Sequence, residues 1–184
     1  LGESGEYEDF IKENLKPNIT TEFIYKSKSP TIVKKRFVDH ISKSKTLGVY
    51  SLNDESLCKN DQNNFFSSLN KEIKKHDLVL VTDYGHGLIS EVSAIEISSK
   101  SPYVALNAQI NAANGGYHTM NKYEKAHCVI INEGELRHEL RNREGKLEDL
   151  MLILAKNLKA LNVVVTKGTD GAILYNTTKD IFVD

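Results

Sequence analysis

The sequence predicts an α/β protein: a three-layer α/β/α sandwich with a mostly parallel sheet, plus a small antiparallel β lid. Four apolar runs each end on a polar residue, namely Leu78-Val-Leu-Val-Thr-Asp83, Tyr103-Val-Ala-Leu-Asn107, Cys128-Val-Ile-Ile-Asn132 and Val163-Val-Val-Thr166. Helix-patterned stretches separate them, and continuous Val/Ile/Leu strands alternating with helices are what a parallel sheet covered on both faces requires. Between residues 20 and 52 the pattern changes to strands with polar alternate positions, which suits a sheet with one face in water.

Taken in order, residues 5–15 read as a helix, with Tyr7, Phe10, Ile11 and Leu15 at helical spacing, and Lys16-Pro-Asn18 ends it. The lid strands follow: Phe23 and Tyr25 share one face, Val33 and Phe37 another, and Leu47 and Val49 complete the set. Ser-Lys clusters at 26–29 and 42–45 separate these runs as turns. Phe65, Phe66, Leu69 and Ile73 define a helix over 60–75 that feeds the strand ending at Asp83. Gly85-His-Gly87 is a loop, a helix spans about 89–100, and the next strand ends at Asn107. A polar, Gly-rich loop at 111–116 and a short segment at 119–125 lead to the strand ending at Asn132. Residues 133–141 form a short helix, and Leu147, Leu150, Met151, Leu154, Leu158 and Leu161 mark a longer amphipathic one. Strand 163–166, the turn Lys167-Gly-Thr-Asp-Gly171 and strand 172–175 make a hairpin.

The 184 residues allow one sizeable domain, with lid strands at about 20–52 and a sheet body at about 60–184. Leu1-Gly-Glu3 lacks an initiator Met and Ile181-Phe-Val-Asp184 reads as a strand cut as it starts, so a fragment of a larger protein is expected. A formal net charge of -1 gives no global bias toward nucleic acid or an acidic membrane. No apolar run approaches a membrane span, and the start has no signal-peptide pattern. Cys58 and Cys128 form no zinc or redox spacing. A cytoplasmic protein with neither membrane nor nucleic-acid partners fits these features.

In open α/β sheets, ligands bind in the crevice beyond the carboxyl ends of the strands. Asp83, Asn107, Asn132 and Thr166 would therefore meet at one site. Asn132-Glu-Gly-Glu135 follows a buried strand and opens a helix, where a carboxylate can hold Mg²⁺, directly or through water, beside a polyphosphate. In Thr166-Lys-Gly-Thr-Asp-Gly171 the glycines let backbone approach a nucleotide closely.

At these residues the chain resembles the ribokinase (PfkB) family of carbohydrate kinases. Asn132 and Glu135 match the family pattern N-x-x-E, and Thr166, Gly168 and Gly171 match T-x-G-x-x-G. Thr82-Asp-Tyr-Gly-His-Gly-Leu88 is similar to the S-D-Y-x-x-G-x-L stretch of the heptose-phosphate kinase branch, and Pro30-Thr-Ile-Val-Lys-Lys-Arg36 to that branch's lid strand. The resemblance covers most of residues 20–176. It implies a ribokinase-like fold and phosphoryl transfer from ATP, with Mg²⁺, to a sugar or sugar phosphate. On that reading Asn132 and Glu135 organise the metal. Thr166, Lys167, Gly168 and Gly171 contact the nucleotide, and Asp83, Asn107, Lys34 and Arg36 contact the acceptor. The family's Gly-Gly sugar motif and G-A-G-D anion hole with its catalytic base are absent from these residues. The chain thus matches the middle of such a kinase, holds no catalytic residue of its own and is expected to be inactive as given. Leu106-Asn-Ala-Gln-Ile-Asn111 replaces the branch's D-P-K-G stretch and leaves the acceptor sugar open.

Each motif also has a plainer reading. Asn132 and Glu135 fit a helix capping box, Thr166 to Gly171 a hairpin turn, and Asp83 a loop cap. The basic run from Lys26 to Lys45 is a solvated face or a phosphate-reading lid; its sparse aromatics argue against nucleic acid. Among the six histidines none is at metal-ligand spacing, and only His86 lies in a strand-end loop. The alternative to an enzyme is a non-catalytic ribokinase-like binding module that pairs as a homodimer through Phe23, Tyr25, Val33 and Phe37 of the lid.

Overall fold

The computed structural model describes residues 1–110, 115 and 118–184; the loop expected at 111–116 lies, Gly115 apart, outside the described residues. Residues 1–67 with 86–88 form one compact unit, and residues 68–85 with 89–184 another.

In the first unit, α1 (Glu8–Asn14) is shorter than the 5–15 pattern because Gly5 and Tyr7 have left-handed backbone, φ 66° and 73°. No strand forms around Phe23 and Tyr25, contrary to expectation. Lys26 makes a single parallel bridge with Gly2, and the Leu1 ammonium donates to Ile24 O at 2.9 Å. Period-two alternation needs a neighbouring strand to pair with, and the Tyr25 hydroxyl instead donates to Glu8 of α1. The lid is therefore one hairpin: β1 (Val33–Val38) antiparallel to β2 (Lys45–Ser51), with an irregularity between Phe37 and Val38. Opposed residues share a face. Val33, Lys35 and Phe37 thus lie with Leu47 and Val49, while Lys34 and Arg36 lie with Tyr50 on the other side. Asp39 Oδ1 fixes the turn by accepting from the amides of Ile41 and Ser42 and from the Ser42 hydroxyl. Gly87 has φ 80°, and a Cβ there would stand 1.9 Å from Glu55 O, so only glycine fits.

Helix α2 (Lys59–Ile73) is shared between the units at Ser67 and Ser68. The second unit is a six-stranded sheet in sequence order: β3 (Val79–Asp83), β4 (Val104–Ala108), β5 (Cys128–Asn132), β6 (Asn162–Thr166), β7 (Ala172–Asn176) and β8 (Ile181–Val183). The first four strands are parallel; β7 and β8 return antiparallel. α3 (Glu91–Lys100) connects β3 to β4, and α4 (Glu133–Glu139) and α5 (Leu147–Asn157) connect β5 to β6. Ser90 caps α3 through its hydroxyl, which accepts from Ser93 N.

Parallel crossovers are right-handed, so strands that advance in one direction carry their helices on one face. The burial follows that rule. Val81, Leu106, Val129, Ile131, Val163 and Val165 are buried with Ile97, Leu136, Met151 and Leu154 of the helices. Each such side chain contributes about 2 kcal/mol over its exposed state. On the other face Leu80 is 60% and Ile130 37% exposed. Among the described residues, the crossover helices α3, α4 and α5 pack on the first of these two faces.

Candidate functional site

β5 and β6 run in parallel with Asn132 opposite Thr166, so both strands finish at the same level. Their exits border an open depression of about 540 Å³ lined by Asn132, Glu133, Gly134, Arg137, Thr166, Lys167 and Gly168. Thr166, Lys167 and Gly168 were assigned to the nucleotide from sequence, and the fold places them beside Asn132.

Asn132 and Glu135 form a reciprocal capping box. Asn132 Oδ1 accepts from Glu135 N at 2.8 Å, and Glu135 Oε2 accepts from Asn132 N at 3.2 Å. Glu135 is only 8% exposed, and its Oε1 also accepts from Ile110 N at 3.3 Å. Both carboxylate oxygens thus hold backbone donors, and among the described residues no group of three or more His, Cys, Asp or Glu converges for a metal. Direct coordination of Mg²⁺ by this pair does not fit the geometry. A hydrated ion does, because Asn132 lines the depression whereas buried Glu135 does not, so an ion there would reach Glu135 only through water.

Arg137 and Glu133 are residues the sequence reading missed. Arg137 Nε and Nη2 donate to Glu133 Oε1 at 2.9 and 2.8 Å, and Nη1 donates to the carbonyls of Arg143 and Gly145, both at 2.9 Å. The pair sits at i,i+4 on α4, a spacing legible in the sequence. Lys167 Nζ lies 2.7 Å from Asp184 Oδ1, and that bond raises the lysine pKa above its ordinary value. The turn beyond it is closed by Lys167 N donating to Gly171 O at 2.8 Å. Gly168 and Gly171 have φ 65° and 86°, and a Cβ on either would meet open space. Backbone conformation, and not crowding, therefore favours glycine at both.

At the end of β3, Asp83 is 5% exposed. Its Oδ2 accepts from Tyr123 OH at 2.7 Å and lies 2.6 Å from Lys122 Nζ, while Oδ1 accepts from Gly85 N at 3.0 Å. His118 Nε2 lies 3.1 Å from Asp83 O, which also accepts from Gln109 N at 2.8 Å. Burial pushes the Asp83 pKa up, but the Lys122 ammonium and the Tyr123 and Gly85 hydrogen bonds outweigh it and hold the carboxyl below its ordinary value. Burial beside that charge drives the Tyr123 phenol upward. Glu139 reaches the same segment, its Oε2 accepting from Met120 N at 3.0 Å, and burial raises its carboxyl. This saturated surrounding is the loop-capping alternative carried further, and it leaves Asp83 little surface for a ligand. Lys122 and Tyr123 carried no sequence signal, since nothing in the spacing links them to Asp83.

Asn107 Nδ2 donates to Ile130 O at 2.8 Å, bridging β4 to β5 on the open face of the sheet. Lys34 and Arg36 belong to the first unit, on the hairpin face with Tyr50, whose ring centre is 5.8 Å from Lys34 Nζ. No helix among the described residues is long and apolar enough to cross a membrane.

No protein-family model and no curated protein sequence matches the chain. Solved structures do. Phosphofructokinase-2 from Escherichia coli in complex with fructose-6-phosphate superposes with a TM-score of 0.67 at 12% identity, over 100% of this chain and 59% of that one. Ribokinase from Giardia lamblia gives 0.69 at 15%, over 100% and 56%. Ribokinase from Arabidopsis thaliana complexed with ribose and ATP gives 0.65 at 15%, over 100% and 58%. The chain spans under three fifths of the length of these structures. Its fold is the ribokinase-like α/β fold with an antiparallel hairpin, and its structural neighbours are sugar kinases.

Proposed function

We propose that these residues form the nucleotide-binding part of a carbohydrate kinase that transfers a phosphoryl group from ATP to a sugar or sugar phosphate. The observation that carries the reading is the register of Asn132 with Thr166, which brings the two family-like motifs onto one depression. The acceptor hydroxyl oxygen forms the new bond to the γ-phosphorus as the bond to the departing ADP oxygen breaks, and the hydroxyl proton leaves to a general base. Mg²⁺ would supply charge neutralisation on the phosphates, held through water by Asn132 and Glu135. Thr166, Lys167 and the backbone at Gly168 and Gly171 bind and orient the nucleotide. Asn107 serves the acceptor, and Lys34 with Arg36 suits an acceptor that already bears a phosphate. No residue of this chain is assigned the general base.

A second reading is a non-catalytic module that pairs with another copy through the hairpin. It is favoured by Phe37, Leu47 and Val49, which are each about half exposed on one hairpin face. Calorimetric titration of the chain with Mg²⁺ and AMP-PNP, a non-hydrolysable ATP analogue, separates the two. The kinase reading expects saturable binding that is lost in Gly171→Val; no heat of binding leaves the second reading.

A further inference from the structure

We propose that Asp83 is a positioning residue for the depression at Asn132, acting through Gln109, Ile110 and Glu135 rather than by touching substrate. The proposal rests on the nucleotide reading above. Asp83 and Asn132 sit at the ends of strands separated only by β4. At about 4.8 Å per strand spacing they are too far apart for contact.

A continuous set of hydrogen bonds spans the gap. The Asp83 carbonyl holds Gln109 N, the next amide, Ile110 N, is held by Glu135 Oε1, and Glu135 Oε2 holds Asn132 N. Asp83 is in turn fixed from the opposite side. Lys122 Nζ and the Tyr123 hydroxyl converge on Oδ2, His118 Nε2 meets the carbonyl, and Lys122 Nζ also donates to Ile89 O at 2.9 Å. The Asp83 carboxylate therefore holds the segment containing Lys122 and buried Tyr123, and through it fixes the main-chain carbonyl that holds Gln109 N at the exit of β4. The position of Gln109 and Ile110 decides whether Glu135 can complete the capping box. The network is buried at Asp83, Tyr123 and Glu135 and partly buried at Gln109 and Ile110, which leaves few alternative arrangements, so loosening one member displaces the others.

The test uses Asp83→Asn, Lys122→Met, the mild Tyr123→Phe and the Asp83→Asn/Lys122→Met double variant of the 184-residue chain. Amide exchange at Ile110 and Asn132 is read in the free protein, and AMP-PNP affinity is read in EDTA. Each single variant is expected to speed exchange at both amides and weaken AMP-PNP about three- to tenfold, the scale carried by such networks. The double variant should add little to either single one. Tyr123→Phe, which keeps the charge pair, reports the same coupling if the other variants do not fold. Unchanged exchange at Asn132 in Tyr123→Phe and in every other folded variant overturns the proposal whether or not nucleotide binds. Absence of all AMP-PNP binding by the unsubstituted chain, in Mg²⁺ as well as in EDTA, removes the nucleotide reading, while the exchange data still decide the coupling. Additive losses in the double variant assign Asp83 a separate contact and also overturn it.

Discussion

Asn132 and Thr166 are register partners at the carboxyl ends of adjacent parallel strands, and the chain leaving each strand forms one wall of the same depression. Parallel pairing fixes this arrangement. Once Cys128 is opposite Asn162, every later pair follows, and the two motifs must emerge side by side.

The two turn glycines should differ in what they tolerate. Gly168 at φ 65° is in the left-handed region that other residues enter at about 1–2 kcal/mol. Gly171 combines φ 86° with ψ −139°, close to a region occupied essentially by glycine. Since no atom would collide with a Cβ at either position, chemical unfolding should show Gly171→Ala as the costlier change, at about 2–3 kcal/mol. Equal costs would contradict the backbone argument.

The capping box separates structure from metal. Asn132→Ala should cost about 1 kcal/mol of stability, the usual worth of an N-cap. Glu135→Gln keeps one acceptor oxygen, so it gives up one of the bonds from Ile110 N and Asn132 N at about 1–3 kcal/mol, and should reduce the gain in AMP-PNP affinity that Mg²⁺ produces in the folded variant. An unaltered Mg²⁺ effect in that variant would remove Glu135 from the cation's surroundings.

Acid should expose the Asp83–Lys122 pair. Its depressed pKa means that the pair's stabilisation is complete above the unfolded carboxyl value of about 3.9 and is lost as pH falls through the folded value. Lys122→Met strands a buried carboxylate, at about 3–5 kcal/mol. The stability gap between the unsubstituted chain and this variant should be widest at neutral pH and narrow below about pH 4. A gap constant across that range would show that Lys122 acts by packing alone.

Much of this was legible in the sequence because the signals were local. The four Val/Ile/Leu runs became β3 to β6, and Asn132 with Glu135 became the capping box that their N-x-x-E spacing allows. Phe23 and Tyr25 misled because alternation shows which face a strand would bury and not whether a partner strand is present. The Asp83 network stayed hidden because Lys122 and Tyr123 reach it only through the fold.

The hairpin offers a test of assembly. Phe37 is 55% exposed beside Leu47 and Val49. If a second copy covers this face, Phe37→Ser with Val49→Ser should convert a dimer to a monomer in sedimentation, with the circular dichroism of the sheet body unchanged. A monomer before substitution would dismiss the hairpin as a pairing surface.

The most direct measurement is a ¹⁵N NMR titration of the chain with AMP-PNP and Mg²⁺. The account predicts saturable shifts that group at the amides of Asn132, Glu133 and Gly134 and at those of Lys167 and Gly168. Saturable shifts confined to other strand ends, or none at millimolar nucleotide, would contradict it.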